Sequence, residues 1–514
     1  MTRRPPERFD VIVIGGGLTG CLTALRLAQA GAAVVLVEQY DIGTQASGRN
    51  AGSLHGQIQH EPFVVEGEGW AREWAPCLGL LKDAIAGWHA LSDELGVDLE
   101  VRTKGGLLVA DDPAQMPAIE RKVALEREHG IDSQVLGRDE LLALAPYLDE
   151  RVVGGELCPI EGKASPIVAA PAIAGAAAGA GADLRRHTPV RALERDGNGF
   201  VVTTGRGRLA ARRVVVAAGA DIPRITRMLG VDLPVEGPPM QVNVTEPVEP
   251  LVGHLVYYAG GRLTLKQAAA GSLLIGGGWP ARTHPVTGRP AVDLEGMRRN
   301  LAIARSVVPA IGGARLLRTW CGVNNATPDQ RPIIGPVDGI DGLVVGTFPF
   351  LGFTASPVMG DLLAALALGR APERDLAPRE PLVIPRPHQR PLDARRRHLE
   401  HVAPPPLGDG IQPLFESPGY TRAILERYTL TRRGVRSVDP DTEDRPPARS
   451  GPFQFHEFVT QRLDAGFQLL LERVTGHGVV FNKKVGVRPP LLARATRTVA
   501  RIQLDTKFKG YGRE

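Results

Sequence analysis

The sequence predicts a mixed α/β and α+β protein, in which a Rossmann-type domain with a parallel sheet is interrupted by a second domain built on an antiparallel sheet. Three observations predict this fold. A strand–helix–strand unit occupies the first forty residues, short apolar strands return at 214–219 and 332–346, and a strand-dense block rich in turn residues lies between them at 235–276. The first domain is therefore discontinuous along the chain.

The first unit carries a dinucleotide-binding pattern. An apolar strand from Asp10 leads into Gly15-x-Gly17-x-x-Gly20, then a helix, then a second strand that ends at Glu38. Gly15 permits the tight turn, Gly17 lets the backbone approach a pyrophosphate, and Gly20 lets the helix pack closely on the strand. The N–H groups at the start of the helix face the phosphates, and Glu38 is suitably spaced to bind a ribose. This combination predicts a bound dinucleotide.

The remaining elements follow from periodicity and turn residues. A long glycine-rich polar loop covers 43–56. Apolar spacing predicts helices at 78–95, 117–129, 139–144, 166–180 and 356–368. Alternating or short apolar runs predict strands at 105–110, 182–186, 190–193, 199–204, 208–218, 235–244, 255–258, 262–266, 272–276, 332–335 and 342–346.

This order predicts the domain organisation. The nucleotide-binding domain comprises 8–85, 150–230 and 323–372, the substrate domain comprises 86–149 and 231–322, and a linker at 373–392 leads to a basic C-terminal extension at 393–514. A ligand is expected at the carboxyl ends of the parallel strands, where they face the inserted sheet.

Composition limits the class of protein. The chain has 514 residues, of which 43% are hydrophobic and 23% charged, and its four cysteines form no CxxC pair. We therefore expect neither a disulfide framework nor a metal site. No run approaches the roughly 20 apolar residues of a membrane span, and the N-terminus lacks the apolar core of a signal peptide. We expect no integral membrane segment and a cytoplasmic location.

Charge separates the C-terminal quarter from the rest. Residues 385–514 hold 23 basic and 14 acidic side chains, whereas residues 1–384 hold 38 basic and 42 acidic ones. Aromatic residues are sparse among these basic ones, so no nucleic-acid partner is expected. An amphipathic helix is predicted at 453–474, through which the extension would dock on the body of the protein or on a partner subunit.

Four separated blocks, within residues 8–370, resemble the FAD-dependent superfamily of D-amino-acid oxidases, glycine oxidases and sarcosine oxidases. They are 15–38, 46–52, 214–219 and 327–357. The continuation 51–57 is most similar to the β subunits of opine oxidases and related imino-acid dehydrogenases. Aromatic hydroxylases fit less well because Gly335-Pro-Val replaces their Gly-Asp-Ala turn, and disulfide reductases need a redox CxxxxC that is absent.

The resemblance implies FAD as the cofactor, bound without a covalent link. Relatives with a covalent flavin use a Cys or a His at positions that are Gly322 and Asn50 here. The implied FAD-binding residues lie in the glycine turn, the loop, two later strand ends and the last helix: Gly15, Gly17, Leu18, Thr19, Gly20, Glu38, Gln39, Ala46, Ser47, Gly48, Arg49, Asn50, Ala51, Gly52, Val190, Ala218, Gly219, Gly352, Phe353 and Thr354.

The family's two substrate-carboxylate anchors are missing. Asn324 stands where many members have Arg, and Thr354 stands where the sarcosine-oxidase-like members have Lys. The remaining anchor candidates are His55, Arg262, Lys266 and one of the two tyrosines Tyr257 and Tyr258, since alternate residues of a strand face opposite sides. We predict Lys266, His55 and Tyr258 as the catalytic residues, with Lys266 orienting substrate or polarising oxygen.

The family's reaction implies the function. A hydride passes from the carbon beside an amine to flavin N5, and the resulting imine hydrolyses. We therefore expect an FAD-dependent oxidoreductase that acts on an amino acid, imino acid or N-substituted amine, with O2 or an electron-accepting partner. Two alternatives remain open: a dehydrogenase subunit that passes electrons to a partner or quinone, and a flavin-bearing scaffold with an idle site whose tail binds a partner.

Overall fold

The computed structural model describes residues 5–371. The predicted linker at 373–392, the basic extension at 393–514 and its helix at 453–474 lie outside the described residues. The described residues all belong to one compact unit of the chain.

Nine α-helices occur among the described residues: α1 (Leu18–Gln29), α2 (His60–Trp74), α3 (Cys77–Leu95), α4 (Met116–Glu128), α5 (Arg138–Leu144), α6 (Pro166–Gly179), α7 (Ile222–Thr226), α8 (Leu294–Val307) and α9 (Gly352–Leu368). The strands in the same range are β1 (Glu7–Ile14), β2 (Val34–Val37), β3 (Ser53–Leu54), β4 (Gly106–Ala110), β5 (Gln134–Gly137), β6 (Gly154–Cys158), β7 (Gly162–Lys163), β8 (Asp183–Arg185), β9 (Val190–Asp196), β10 (Gly199–Thr204), β11 (Gly207–Val216), β12 (Pro239–Pro247), β13 (Leu255–Tyr258), β14 (Gly261–Gln267), β15 (Ser272–Gly276), β16 (Arg282–Thr283), β17 (Pro290–Ala291), β18 (Leu316–Val323), β19 (Ile333–Pro336) and β20 (Leu343–Thr347).

The first sheet is the predicted parallel core. Its order is β19-β20-β11-β1-β2-β8, with β10 and β9 added beside β11, and β1 runs parallel to both β11 and β2. Alternate residues of β1 enter two different cores. Val11 and Val13 pack with α1, α3, α6 and α9, whereas Ile12 and Ile14 pack with β9–β11 and α7. Both faces of the first sheet are covered at β1, which explains why every residue from Val11 to Ile14 is apolar.

The second sheet has the order β18-β12-β15-β14-β13-β4-β6-β5. Within the block 235–276 the neighbouring strands are antiparallel, as predicted. The sheet continues beyond that block through β4, which pairs with β13 in parallel. The two strands lie about 150 residues apart in sequence, far enough for the chain to return in the same direction. Strand β6 lies within the segment 150–230, which we assigned to the first domain, yet it pairs with the second sheet. The domain bounds themselves stay a prediction.

Three helices, α2, α7 and α8, were not predicted from the sequence. Helix α7 is only five residues long, and α8 was overlooked although its apolar residues do recur at helical spacing. Helix α2 buries only Phe63, Ala71 and Trp74, and Gly67 interrupts it with φ +86°. Helix α9 begins at Gly352, four residues before the predicted start at 356, and it contains Pro357. The chain tolerates Pro357 because the carbonyl of Phe353, which loses its backbone donor, accepts a hydrogen bond from Ser356 Oγ at 2.9 Å.

Within residues 5–371, no helix has the length and apolar character needed to cross a bilayer. The same residues contain no cluster of His, Cys, Asp and Glu side chains arranged to hold a metal ion.

The contact between α1 and α9 depends on a glycine. A Cβ added at Gly360 would lie 2.4 Å from Leu22 Cβ, whereas one added at the exposed Gly79 of α3 would meet nothing within 4 Å. We expect Gly360→Ala to lower the free energy of unfolding by about 1–3 kcal/mol through overpacking. Gly79→Ala should instead raise it by up to about 1 kcal/mol through helix propensity. Denaturant unfolding of the two variants measures both changes, and equal effects would contradict the packing assigned to α9.

Candidate active site

The glycine turn after β1 has the geometry that its sequence predicts. Gly15 has φ +115°, and a Cβ there would lie 2.4 Å from the carbonyl oxygen of Ala217; a Cβ at Gly20 would lie 2.0 Å from the carbonyl oxygen of Gly15. At Gly17 a Cβ would approach only Ser47 Oγ, at 3.2 Å. Two glycines are thus required by packing, while Gly17 leaves room for a ligand beside the backbone.

The start of α1 is open to an anion. Gly17 caps the helix without a side-chain hydrogen bond, and the first turn contains no acidic residue. The N–H of Leu18 donates to Ser47 Oγ at 3.0 Å, which fixes the loop 43–56 against the helix terminus. A helix N-terminus with a glycine cap and no acidic residue in its first turn fits the pyrophosphate of a dinucleotide.

Glu38 is held at the end of β2 by backbone donors. Its Oε2 accepts from the N–H of Gly16 at 2.7 Å and its Oε1 from the N–H of Tyr40 at 2.8 Å. Each carboxylate oxygen can accept more than one hydrogen bond, so ribose hydroxyls can still bind. The neighbouring Gln39 donates its side-chain amide to Asp221.

The other predicted FAD-binding residues lie on five segments: α1, the loop 46–52, β9, the turn after β11 and the start of α9. In the loop, Arg49 Nη1 donates to the carbonyl oxygen of Cys321 at 3.3 Å, and Asn50 Oδ1 accepts from the N–H of Gly52 at 2.6 Å. After β11, Gly219 has φ +55° and open space where a Cβ would stand. Val190 is buried on β9. The assignment of these residues to FAD, together with Thr19, Ala46, Gly48, Ala51, Ala218 and Phe353, stays a prediction.

Thr354 joins the last helix to β3. Its Oγ1 accepts from the N–H of His55 at 3.0 Å and donates to the carbonyl oxygen of Ser53 at 3.2 Å, while its own carbonyl accepts from Trp88 Nε1 at 3.0 Å. The side chain is fully buried. Both hydrogen-bonding functions of the hydroxyl are used within the protein, so Thr354 fixes the segment 53–55 in place.

Lys266 approaches the same segment from the second sheet. It is only 2% exposed, and its Nζ donates to Ser53 Oγ at 2.7 Å. Among the described residues it forms no ion pair with a carboxylate. Burial, with a smaller effect of Lys163, lowers its pKa to about 7. Lys266 is therefore a buried amine that gains or loses its proton near neutral pH.

His55 pairs with Tyr257, whereas Tyr258 lies on the opposite face of β13. His55 Nδ1 is 2.7 Å from the hydroxyl oxygen of Tyr257. Tyr258 donates to the carboxylate of Asp111 at 2.9 Å. Strand alternation correctly predicts that only one tyrosine faces His55, but the choice of Tyr258 is corrected to Tyr257. Burial, followed by the charge of Lys266, lowers the pKa of His55 to about 3, so the imidazole is neutral.

Arg262, the remaining anchor candidate, and Asn324, at the position of the family arginine, both form hydrogen bonds with other residues. Arg262 donates to both oxygens of Glu61, with a shortest distance of 2.6 Å from Nη2 to Oε1. Asn324 Nδ2 lies 3.5 Å from Met240 Sδ, and its backbone N–H donates to the carbonyl oxygen of Pro238. Of the candidates, the structure brings Lys266, His55 and Tyr257 together.

Glu161 is the residue that sequence reasoning missed. This buried carboxylate accepts from the N–H groups of Gly56 and Gln57 at 2.7 and 3.1 Å and from Gln57 Nε2 at 2.8 Å. It also hydrogen-bonds the hydroxyl of Tyr257. In the sequence it stands in Pro159-Ile-Glu-Gly162, which has the composition of an exposed turn, so no local signal could have identified it.

Residues 10–366 match the family described as FAD-dependent oxidoreductase, DAO. The chain belongs to this family. The resemblance seen in the sequence is thereby confirmed, as are FAD as the cofactor and an oxidoreductase as the class of enzyme.

Three curated relatives illustrate the similarity. The sarcosine oxidase beta chain of Rhizobium meliloti (strain 1021) is 27% identical over 73% of this chain and 88% of its own length. An opine oxidase subunit of Rhizobium meliloti is 28% identical over 63% of this chain and 84% of its own. Glycine oxidase of Geobacillus kaustophilus (strain HTA426) is 30% identical over 72% of this chain and 96% of its own. The crystal structure of glycine oxidase from Geobacillus kaustophilus superposes with a TM-score of 0.65, covering 74% of this chain and 99% of that one at 29% identity.

The hydroxyl of Thr354 should be required for the position of β3. Thr354→Val preserves the shape but leaves the buried N–H of His55 without an acceptor, which costs about 1–3 kcal/mol. We expect weaker FAD binding and lower stability, measured by flavin fluorescence titration and denaturant unfolding. Thr354→Ser keeps the hydroxyl and serves as the control. A valine variant that binds FAD as tightly as the serine variant would show that this bond does not hold the segment.

Proposed function

We propose that the protein oxidises the C–N bond of an amino acid, imino acid or N-substituted amine of opine- or sarcosine-like type. When bound, FAD supplies the hydride acceptor at N5, and the resulting imine hydrolyses in water. Relatives named for sarcosine, glycine and opines support this substrate range. All three of these names denote a small amine that carries a carboxylate.

Lys266 is the observation that carries the proposal. A buried amine with no carboxylate partner within residues 5–371 stands beside Ser53 of β3, whose carbonyl oxygen accepts from Thr354 of α9. Bringing an anionic group to it would offset the desolvation that lowers its pKa. Lys266 is therefore the anchor we propose for the substrate carboxylate in place of the family arginine, with the same charge available to polarise oxygen.

The other groups at the site orient the substrate. His55 is a neutral imidazole and presents a hydrogen-bonding group without a competing charge. Thr354 and Ser53 fix the backbone from which His55 projects. Two groups from different parts of the fold, Lys266 and His55, would thus bind the carboxylate and the amine and hold the C–H bond in one orientation.

The electron acceptor distinguishes two versions of this function. In the first, O2 is the acceptor and hydrogen peroxide is released. In the second, the electrons pass to a partner protein, which the relatives named as subunits favour. The predicted docking of the extension at 393–514 would suit the second version, in which a partner subunit is present.

The proposed function is tested by anaerobic reduction of the bound flavin. Glycine, D-amino acids, N-methyl amino acids, imino acids and opines are mixed in turn with the holoenzyme, and the loss of flavin absorbance is followed. We expect bleaching by at least one of these classes. Stoichiometric peroxide on admitting air supports the oxidase, while reduction of a dye without peroxide supports the dehydrogenase. Flavin that no amine reduces would contradict the proposal and favour the idle scaffold.

The role of Lys266 predicts a pH dependence of carboxylate binding. The protonated amine attracts a carboxylate, and the proton is lost as the pH rises through about 7. A non-reacting carboxylate analogue, titrated by its change in the flavin spectrum, should therefore bind most tightly below pH 7 and more weakly above it. Lys266→Met should lower the affinity by about tenfold or more and abolish the pH dependence. An exposed control, Lys82→Met, should leave both unchanged. Equal affinity in the Lys266 and Lys82 variants would rule out this anchor.

A further inference from the structure

A continuous chain of buried hydrogen bonds runs from His55 into the interior. His55 Nδ1 contacts the Tyr257 hydroxyl at 2.7 Å, and Tyr257 in turn hydrogen-bonds Glu161. Gln57 donates to Glu161 and accepts from Lys122 Nζ at 2.9 Å. The chain ends at two further carboxylates, because Lys122 also contacts Glu126 at 2.7 Å and Glu156 at 2.6 Å.

This network contains more acid than base. Glu126, Glu156 and Glu161 are all fully buried, and Lys122 is the cation among them. Glu126 is stabilised as the anion, since Lys122, the N–H of Ile58 and Ser133 Oγ all donate to it, and its pKa is lowered despite burial. Burial and the adjacent Glu126 raise the pKa of Glu156 well above its usual range, so Glu156 is neutral. Lys122 and Glu126 therefore form an ion pair, and Glu156 is a protonated acid. Glu161 is the remaining carboxyl of the network, and it can gain or lose a proton.

Glu161 is poised between its two states. Burial raises the pKa of Glu161 to about 7. Hydrogen bonds from three N–H donors and from Tyr257 favour the anion and so oppose this rise. The titratable groups that face this chain of hydrogen bonds are Lys122 and Glu126 on α4, Glu156 and Cys158 on β6, Lys266 on β14 and His60 on α2. Burial and Lys122 lower the pKa of His60 to about 4, so its ring is neutral near pH 7. Cys158 is buried with a raised pKa and stays a thiol.

Each state of Glu161 imposes one arrangement of protons. When Glu161 is ionised it can only accept, so Tyr257 donates to it and His55 Nδ1–H donates to Tyr257. His55 Nε2 is then an acceptor. When Glu161 is protonated it donates to Tyr257, Tyr257 donates to Nδ1, and Nε2 carries the proton. The imidazole is neutral in both arrangements, in agreement with its lowered pKa. The proton state of Glu161 thus selects the tautomer of His55.

We propose that Glu161 and Tyr257 are positioning residues that let His55 take the proton from the substrate ammonium. The ammonium N–H gives its proton to His55 Nε2, the Nδ1 proton passes to the Tyr257 oxygen, and the Tyr257 proton passes to the Glu161 carboxylate. The products are a neutral amine and a neutral Glu161, with Tyr257 unchanged and His55 in its other tautomer. No oxidant is needed, and no charged imidazolium forms.

This relay rests on the proposed function, since hydride transfer from an amine requires its nitrogen lone pair. Aliphatic ammonium groups have a pKa of about 10, so such a substrate arrives protonated at neutral pH. His55 Nε2 is the ring nitrogen not used by Tyr257, and part of the His55 surface is accessible. The relay supplies a base at the site without placing an anion in contact with the substrate.

The tautomer of His55 tests the relay without any turnover. In holoenzyme labelled with 15N-histidine, the ring signals of His55 are identified by their loss in His55→Gln. We expect the proton on Nδ1 above pH 7 and on Nε2 below it. In Tyr257→Phe this change with pH should vanish. A wild-type tautomer that stays the same on both sides of pH 7 would overturn the proposal, even if no amine reduces the flavin and the proposed function itself fails.

The rate of flavin reduction supplies the second test. At saturating substrate the limiting rate should rise with pH through about 7, because only ionised Glu161 can receive the proton. At pH 8, Tyr257→Phe and Glu161→Gln should each lower this rate by about 10²-fold and flatten its pH profile. Use of the limiting rate separates this effect from the pH dependence of carboxylate binding, which appears in the dissociation constant.

A matched control is available in a second tyrosine–histidine pair. The Tyr147 hydroxyl lies 2.8 Å from His254 Nδ1, and this pair has no contact with the chain described above. Tyr147→Phe should leave the limiting rate, its pH profile and the His55 tautomer unchanged. A limiting rate in Tyr257→Phe equal to that in Tyr147→Phe would overturn the relay, and retention of FAD by both variants shows that they are folded.

Discussion

The position of a three-residue segment, Ser53 to His55, determines the geometry of the candidate site. Helix α9, which packs on the first sheet, holds the segment through Thr354, and strand β14 of the second sheet reaches it through Lys266. Ser53 therefore accepts one hydrogen bond from each side, at its carbonyl and at its hydroxyl. Any shift of α9 relative to the second sheet must break one of these bonds. The two groups proposed to bind substrate consequently keep a fixed separation.

The buried acids explain why this part of the interior is polar. Removing an ionised carboxylate from water without compensation is costly, so each glutamate must be paired, hydrogen-bonded or protonated. Glu126 is paired with Lys122 at 2.7 Å. Glu156, whose Oε1 lacks a donor among the described residues, is protonated. Glu161 is held by backbone N–H groups of the loop that also carries His55. The same donors that stabilise the carboxylate thus fix the course of that loop.

Sequence reasoning succeeded where a local constraint determines the structure. The glycines of the first turn are required by contacts within a few residues or across one strand, so their pattern could be interpreted directly. The choice between Tyr257 and Tyr258 failed because alternation reveals two faces but not which one is inward; that depends on the parallel pairing of β13 with β4, about 150 residues earlier. The role of Glu161 could not be predicted from the sequence for a related reason. Its burial is created by residues distant in sequence, above all Gln57 and Tyr257.

The electrostatics of the site favour different roles for Lys266, at the proposed carboxylate end of the substrate, and His55, at the amine end. Burial lowers the pKa of Lys266 to about 7, so both its protonated and its neutral form are accessible near neutral pH, while His55 stays neutral. A substrate carboxylate would shift Lys266 towards its charged form, because the ion pair offsets the desolvation that now opposes the charge. That charge in turn lowers the tendency of the neighbouring His55 to become cationic. The carboxylate also brings its own negative charge, which offsets this effect, so burial is what keeps the imidazole neutral when Lys266 is ion-paired. Recognition of the acid end by Lys266 and proton transfer through His55 are therefore separable steps that act on the two ends of one substrate.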